Sequence, residues 1–505
     1  MTVTLPHESD FLNAALSHDL VSFSASIPWD HETIISLAHR FKSRDKLFLL
    51  ESAPSGANKM ARFSFLGFDP LWLWESEGYQ AKIEFANSVE HIQWEKPETG
   101  IRKFYEYFKE LKTCHLLPDS YRGPDPDAQQ GAVGYMAYDN ASQSEPSIGN
   151  VPPKALKIPE IFYFIPRNYF IFDQLTHGLV VTRYICTKGL TDQRELKSLW
   201  DEETMTFRQL IESLNQPCPL PPVAEKKPEA PEFKYTSSLS KEQFLNHARN
   251  CLEEIKKGEI FQIQIGRRIS GHTEADPFDI FRNLRMLNPS PYMFFYKMNQ
   301  HVILGSSPEM MVGVEGKQIT HRPIAGTRKR TWNRLKDQKM RQELLDSEKE
   351  RAEHVMLVDL SRNDVGRVSE AGTVRVHELM AVEEYSHVYH MVSEVRGTLS
   401  SEFDTADALI SGFPNGTVSG APKIKAMEII NRCEPVAREF YAGSLGLFAF
   451  NGDLKSTILI RSIHIADQIA STQASAGIVF DSEPELEWNE TTHKMAACLT
   501  AIKNT

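Results

Sequence analysis

The sequence predicts a mixed α/β protein built on antiparallel strands, and three observations carry that reading. A strict period-two run, Phe261-Gln262-Ile263-Gln264-Ile265, reads as a strand with an apolar face (Phe261, Ile263, Ile265) and a polar face (Gln262, Gln264). The runs Phe440 to Phe450 and Ser456 to Ile465 flank Asn451-Gly452, the strongest short-range hairpin signal. Between such runs lie amphipathic stretches with start and stop signals for helices.

In chain order, Ser240-Lys-Glu-Gln243 is a capping box. Phe244, Ala248, Cys251, Leu252 and Ile255 then share one helical face, and Gly258 stops the helix before the Gln262 strand. Further helices are expected from Asp346 to Leu360, Pro422 to Arg432 and Glu485 to Ile502, and a further strand from Gln473 to Phe480. Prolines 217, 219, 221, 222, 228 and 231 mark an extended connector over residues 214–233. It separates an N-terminal region, residues 1–213, from a C-terminal region, residues 234–505. Pro118 to Pro153 is a second loop-rich stretch.

The chain has 505 residues and a formal charge of −11, with no Lys/Arg-rich run, which argues against nucleic acid as a partner. No stretch is long and apolar enough to span a bilayer. The six cysteines, 114, 186, 218, 251, 433 and 498, form no Cys-x-x-Cys pair, so neither a zinc site nor a disulfide framework is expected. Without a basic, apolar leader pattern at Met1 the reading is a cytoplasmic protein. No Gly-x-Gly-x-x-Gly or Walker pattern opens a helix.

Four constellations have chemical potential. Glu350 and Glu353, and again Glu487 and Glu490, are spaced i, i+3 and share a helix face, with Lys494 at i+4 from Glu490. Two such faces suit magnesium, which takes hard oxygen ligands, although an isolated pair of this kind is usually solvated surface. The loop Gly416-Thr417-Val418-Ser419-Gly420-Ala421-Pro422-Lys423 runs into a helix, a place for an anion or simply a capped helix start. Arg461 falls within an apolar run, Ile458 to Ser462, read as strand, where a cation needs a partner or a wet face. His390 is a residue type that moves protons near neutral pH, one of 17 histidines. From the residues alone, the reading reaches an α/β enzyme for an anion and a divalent metal.

Taken together and in order, these segments resemble the chorismate-utilising enzymes, and within them the large subunits of anthranilate synthases. The resemblance spans Tyr235 to Ile502 and rests on several runs in order. They are Pro323 to Arg328, Glu350 to Leu360, Arg362-Asn363-Asp364, Phe413-Pro414, the Gly416 to Lys423 loop, Ala476 to Val479 and Asp481-Ser482. It implies a large sandwich of two antiparallel sheets with helices outside and the active site between the sheets. It implies Mg2+ on Glu353 and Glu490 with Glu350 and Glu487 beside them. Arg461 and the backbone of Ser475, Ala476 and Gly477 would hold the enolpyruvyl carboxylate, with Lys494 counted among the substrate contacts. Gly326, Thr327 and Thr417 would line the ring, with Thr417 in the catalytic group. Glu309 matches a general acid for the departing C4 hydroxyl, and His390 the histidine linked to pyruvate elimination.

Within the family, Gln262 stands where water-adding members carry a Lys base, and Ala325 where many aminodeoxychorismate synthases carry a nucleophilic Lys. Direct ammonia attack at C2 is left, then loss of the C2 proton and pyruvate to give anthranilate. Aminodeoxychorismate or aminodeoxyisochorismate synthesis is the alternative, and a non-catalytic tryptophan sensor a further one. Leu49 to Ser52, Arg62 to Gly67 and Asn288 to Phe295 resemble a tryptophan-binding segment, implying a feedback site at Glu51, Ser52, Pro291, Tyr292 and Met293. The chain lacks the Gly-x-Cys-x-Gly segment of a glutamine amidotransferase, so a separate small subunit is expected to supply ammonia in a hetero-oligomer. Leu447, Lys455, Ser475 and Gly266-Arg267-Arg268 depart from the family pattern.

Overall fold

Two long strands turn a corner together, and the rest of the fold is organised around them. Phe63–Glu77 pairs antiparallel with Ile161–Asp173, and the register shifts where Pro70 faces Pro166. Neither proline has an N–H to give the ladder, so the pairing breaks and bends there. On one side of the corner the sheet continues through Lys46–Glu51, Tyr292–Met298, His301–Ser307, Ser462–Ala466, Ile469–Ile478 and Gln262–His272. On the other it continues through Gly131–Met136, Ser444–Ala449, Leu454–Ile458, Met310–Glu315, Gln318–His321 and Val388–Thr398. Ile324–Lys329 and Arg375–Glu384 flank the last of these. Pairing is antiparallel save for Leu20–Pro28 with Thr113–Leu116 and any ladders outside the described residues. The computed structural model describes residues 4–52, 62–223, 233–385 and 387–505, and part of the proline-rich connector lies outside them.

Two antiparallel sheets with outer helices were expected, and this is the architecture. Strands from before and after the connector share both sheets, each contributing a block, and the blocks meet at one seam per sheet: Met293 faces Glu51 in one and Leu445 faces Tyr135 in the other. The helices Lys241–Lys256, Pro277–Leu287, Lys423–Cys433 and Pro484–Lys503 cover the first sheet, and Glu348–Gly366 lies against the second. Met495, Cys498, Leu499 and Ile502 of the last helix join Phe281, Met293 and Phe295 in one apolar core. Burial of such side chains at about 1.5–3 kcal/mol each is what holds helix to sheet. Among the described residues no helix is long and apolar enough to cross a membrane.

The predicted elements are found with shifted boundaries and two corrections. The capping box is closed at Ser240: its hydroxyl accepts from Gln243 N–H (3.2 Å) and the side-chain Oε1 of Gln243 accepts from Ser240 N–H (2.9 Å). The Gln262 strand starts one residue late, and Phe261 is 67 % exposed instead of lying on the apolar face. Its polar face, Gln262 and Gln264, is buried at 8 % and 7 %. A period-two pattern fixes which residues share a face but not whether the polar face meets water. The second correction concerns Arg461. The run Ser456 to Ile465 is two strands, Leu454–Ile458 and Ser462–Ala466, in different sheets, and Arg461 sits in the break with φ +48°.

Candidate active site

Twice, side by side, the chain crosses from one sheet to the other, and each crossing delivers a chemical group. Pro308-Glu309 leads out of His301–Ser307 into Met310–Glu315. Leu459-Ile460-Arg461 leads back from Leu454–Ile458 to Ser462–Ala466. Backbone bonds stitch the crossings together: Ile458 N–H donates to Glu309 O (3.1 Å) and Ser306 N–H to Arg461 O (3.1 Å). A non-glycine residue at positive φ costs about 1–3 kcal/mol, so this surrounding ladder is what holds Arg461 in place.

Both groups line a cavity of about 310 Å³ between the sheets. Its walls bring together Gly326, Thr327, Glu353, His390, Thr417, Ser475, Gly477, Glu487, Glu490 and Lys494, all named from the sequence. Ala476 points the other way, into the apolar core with Ile263 and Ile265. Glu350 is set back, its carboxylate paired with Arg328 (2.9 Å). Gln262, Gln264, Lys349, Tyr441 and Gln473 also line the cavity and were not among the expected site residues. Gln262 was marked by the resemblance as standing in place of a Lys base, whereas the only signal for Gln264 was a polar strand face, which ordinarily denotes solvent.

Burial pushes the Glu309 carboxyl up to about 8, so it carries a proton at neutral pH. Thr417 Oγ1 lies 3.0 Å from both Glu309 Oε1 and Asn415 Oδ1. One hydroxyl hydrogen cannot serve two acceptors, and a protonated Glu309 resolves this by donating to Thr417 while Thr417 donates to Asn415. Arg461 stands opposite in charge. Its guanidinium has no ion pair or side-chain hydrogen bond among the described residues, and burial lowers its pKa. A desolvated cation of this kind lacks an anion.

His390 Nδ1 lies 3.1 Å from the Gly326 carbonyl and 3.1 Å from Thr327 Oγ1. A carbonyl only accepts, so Nδ1 holds the hydrogen and Nε2 presents a bare lone pair. Nε2 has no partner among the described residues, and burial, followed by Arg461, lowers the ring pKa to about 4. The imidazole is therefore neutral and able to accept a proton. Gly326 makes the carbonyl contact from φ +61°, where an added Cβ would come within 2.7 Å of Leu344 and 2.9 Å of Glu350.

At the other end of the cavity, carboxylates gather from two helices. Burial raises Glu353, and Glu350 and Glu490 raise it further; burial and then Glu490 raise Glu487. Lys349 approaches Glu353 (3.9 Å), and Lys494 sits 2.6 Å from Glu490 while donating to Ser475 O (2.9 Å). Among the described residues no three acidic, His or Cys side chains are close enough as they stand to hold a metal together. The donor set is nevertheless hard carboxylate oxygen whose charges feel one another, which suits a cation of the magnesium type.

The departures from pattern fall in different places. Leu447 is buried in the main core and Lys455 is exposed, donating to Gln129 Oε1 (2.7 Å); neither lines the cavity. Arg268, from the altered Gly266-Arg267-Arg268, is buried against Glu439 (2.8 Å). Ser475 does line the cavity. The expected tryptophan residues lie elsewhere: Glu51 faces Met293 across the ladder but is clamped by Arg285 through two 2.6 Å bonds. Ser52 is next to it, its hydroxyl buried without a partner among the described residues, and Pro291 and Tyr292 enter the facing strand.

Comparison with known proteins gives a consistent picture. Residues 69–500 match the family described as chorismate binding enzyme. The anthranilate synthase component 1 of Acetivibrio thermocellus is 38 % identical over 97 % of this chain and 96 % of its own length. That of Pseudomonas putida is 36 % identical over 98 % of each. The crystal structure of anthranilate synthase component I from Streptococcus pneumoniae superposes with a TM-score of 0.72 at 30 % identity, covering 88 % of this chain and 94 % of that one. The menaquinone-specific isochorismate synthase of Escherichia coli shares the fold, with a TM-score of 0.72 at 16 % identity over 98 % of each chain.

Proposed function

The chain belongs to the family of chorismate-binding enzymes, and from that premise we propose that it acts as the synthase subunit of an anthranilate synthase, turning chorismate and ammonia into anthranilate and pyruvate. The observation that carries this is the pairing, in one cavity, of a half-buried Arg461 that has no ion pair among the described residues with a protonated Glu309. Chorismate brings the complements: a carboxylate for the guanidinium and a hydroxyl that leaves once protonated.

Arg461 would take the enolpyruvyl carboxylate as a fork. Magnesium would be held by Glu353 and Glu490, with Glu487 alongside and Glu350 behind. When bound it supplies positive charge against the ring carboxylate. Glu309 gives its proton to the departing C4 hydroxyl while ammonia attacks C2. His390, neutral with a free Nε2, accepts the proton released as the ring aromatises and pyruvate leaves. Gln262 has no base to offer water, and Ala325 offers no amine nucleophile where an aminodeoxychorismate synthase would use one; both support amination at C2 without a covalent intermediate.

Ammonia would come from a glutamine amidotransferase subunit in a hetero-oligomer, in the cytoplasm, as a step toward tryptophan. Feedback by tryptophan at Glu51, Ser52 and Pro291 to Met293 belongs to the same reading; unchanged activity in excess tryptophan would remove it. The synthesis is tested by incubating the full chain with chorismate, magnesium and ammonium salt and identifying the product by fluorescence and mass. Anthranilate is expected. A product that keeps the enolpyruvyl group, or none, would overturn the proposal.

A further inference from the structure

By the resemblance Ser475 takes the place of a glycine, and its hydroxyl is chemistry inside the cavity. Three groups meet there. Ser475 N–H donates to Tyr441 Oη (2.9 Å), Tyr441 Oη lies 2.8 Å from Ser475 Oγ, and Ser475 Oγ lies 3.1 Å from Gln264 Oε1. All three side chains are buried. The direction of the chain follows from counting hydrogens. Gln264 Oε1 can only accept, so Ser475 Oγ gives it its one proton, and Tyr441 Oη, which accepts the Ser475 amide, gives its own proton to Ser475 Oγ.

The other end of the amide is placed by the strand opposite. Gln264 faces Gly477 directly in the ladder, and Ser475 lies two residues along on the same face. A Cβ on Gly477 would come within 2.8 Å of Gln264 Nε2, so the amide nitrogen rests over a bare Cα. With its oxygen tied to Ser475 and its nitrogen over Gly477, Gln264 has no freedom to flip.

Resting on the chorismate reading above, we propose that Ser475 is a positioning residue that locks Gln264 with its NH2 toward the cavity, as a donor to a carboxylate oxygen of the substrate. A glycine at 475 leaves the amide free to present either end, and a carbonyl oxygen facing a carboxylate is repulsive. In this chain the hydroxyl therefore adds to the grip that Arg461 provides.

The test is a double-mutant cycle in chorismate binding, measured by calorimetry on the full chain without ammonium salt, with thermal melts as a folding control. Ser475→Ala and Ser475→Gly are each expected to weaken binding about fivefold, or about 1 kcal/mol. In parallel turnover assays they raise KM and leave kcat within about twofold. Gln264→Leu weakens binding at least as much, and adding Ser475→Ala to Gln264→Leu changes Kd by less than about 1.5-fold, because Ser475 acts through Gln264. If Gln264→Leu loses its melting transition, Gln264→Met takes its place in the cycle. Wild-type affinity in Ser475→Ala, or the same loss with and without Gln264, overturns the proposal. If the wild type binds chorismate but makes no anthranilate, the synthase reading fails and the cycle still decides the role of Ser475. If the wild type does not bind chorismate, both fall.

Discussion

Glu309 holds its proton because the crossing that carries it is buried, which outweighs the opposing hydrogen bond with Thr417 at 3.0 Å. An acid with a pKa of about 8 works below that pH and is lost above it, so chorismate turnover should fall on the alkaline side near pH 8. Glu309→Gln should lower kcat by about 10²–10⁴-fold and remove that alkaline limb. A retained limb in Glu309→Gln would assign it to another group. His390 behaves oppositely: with a pKa lowered to about 4 it stays a base across the neutral range. In His390→Ala, an aminated product that keeps its enolpyruvyl group should accumulate, visible by mass. For Arg461, loss of a hydrogen bond to a charged group costs roughly 1.5–3 kcal/mol, so Arg461→Met should weaken chorismate binding about 10- to 150-fold in a calorimetric titration.

The strands and helices bring these residues together through contacts that short sequence windows do not show. Arg438 is the clearest case. Nearly fully buried, it pairs with Glu434 at 2.6 Å and donates to Val418 O (2.6 Å) and Gln264 O (2.7 Å), so one guanidinium ties the Thr417 loop to the Gln264 strand. Removing one partner of a buried pair costs about 3–5 kcal/mol, so Arg438→Met should lower the melting temperature clearly and weaken turnover with it. An unchanged melt would mean the pair contributes nothing. The fold class, the hairpin, the capped helix after Ser240 and both acidic helices were legible because each is written in local periodicity or caps. The break at Arg461 was not, because an apolar run looks the same whether it continues in one sheet or changes sheets. Gln264 was missed as a site residue for a related reason: only the facing sheet decides whether a polar face meets water or a closed cavity.

At the scale of the whole molecule, the two sheets are held as one body by shared strands, and the cavity exists only because both are present. The acid and the cation come from the crossings, the proton acceptor from the second sheet, and the carboxylates from helices on opposite sides. The net charge of −11 repels a dianion at long range, so binding must be local. Glu490→Gln should therefore abolish turnover, and chelation should stop the wild type until magnesium is restored; near-normal activity in either case would refute the metal reading. The most direct measurement is a crystal structure of the Glu309→Gln protein with chorismate and magnesium. The account predicts the enolpyruvyl carboxylate on Arg461, the C4 hydroxyl within hydrogen-bond reach of residue 309, and the ring carboxylate turned toward Glu353 and Glu490. Chorismate bound outside this cavity, or inside it with Arg461 still lacking an anion, would contradict it.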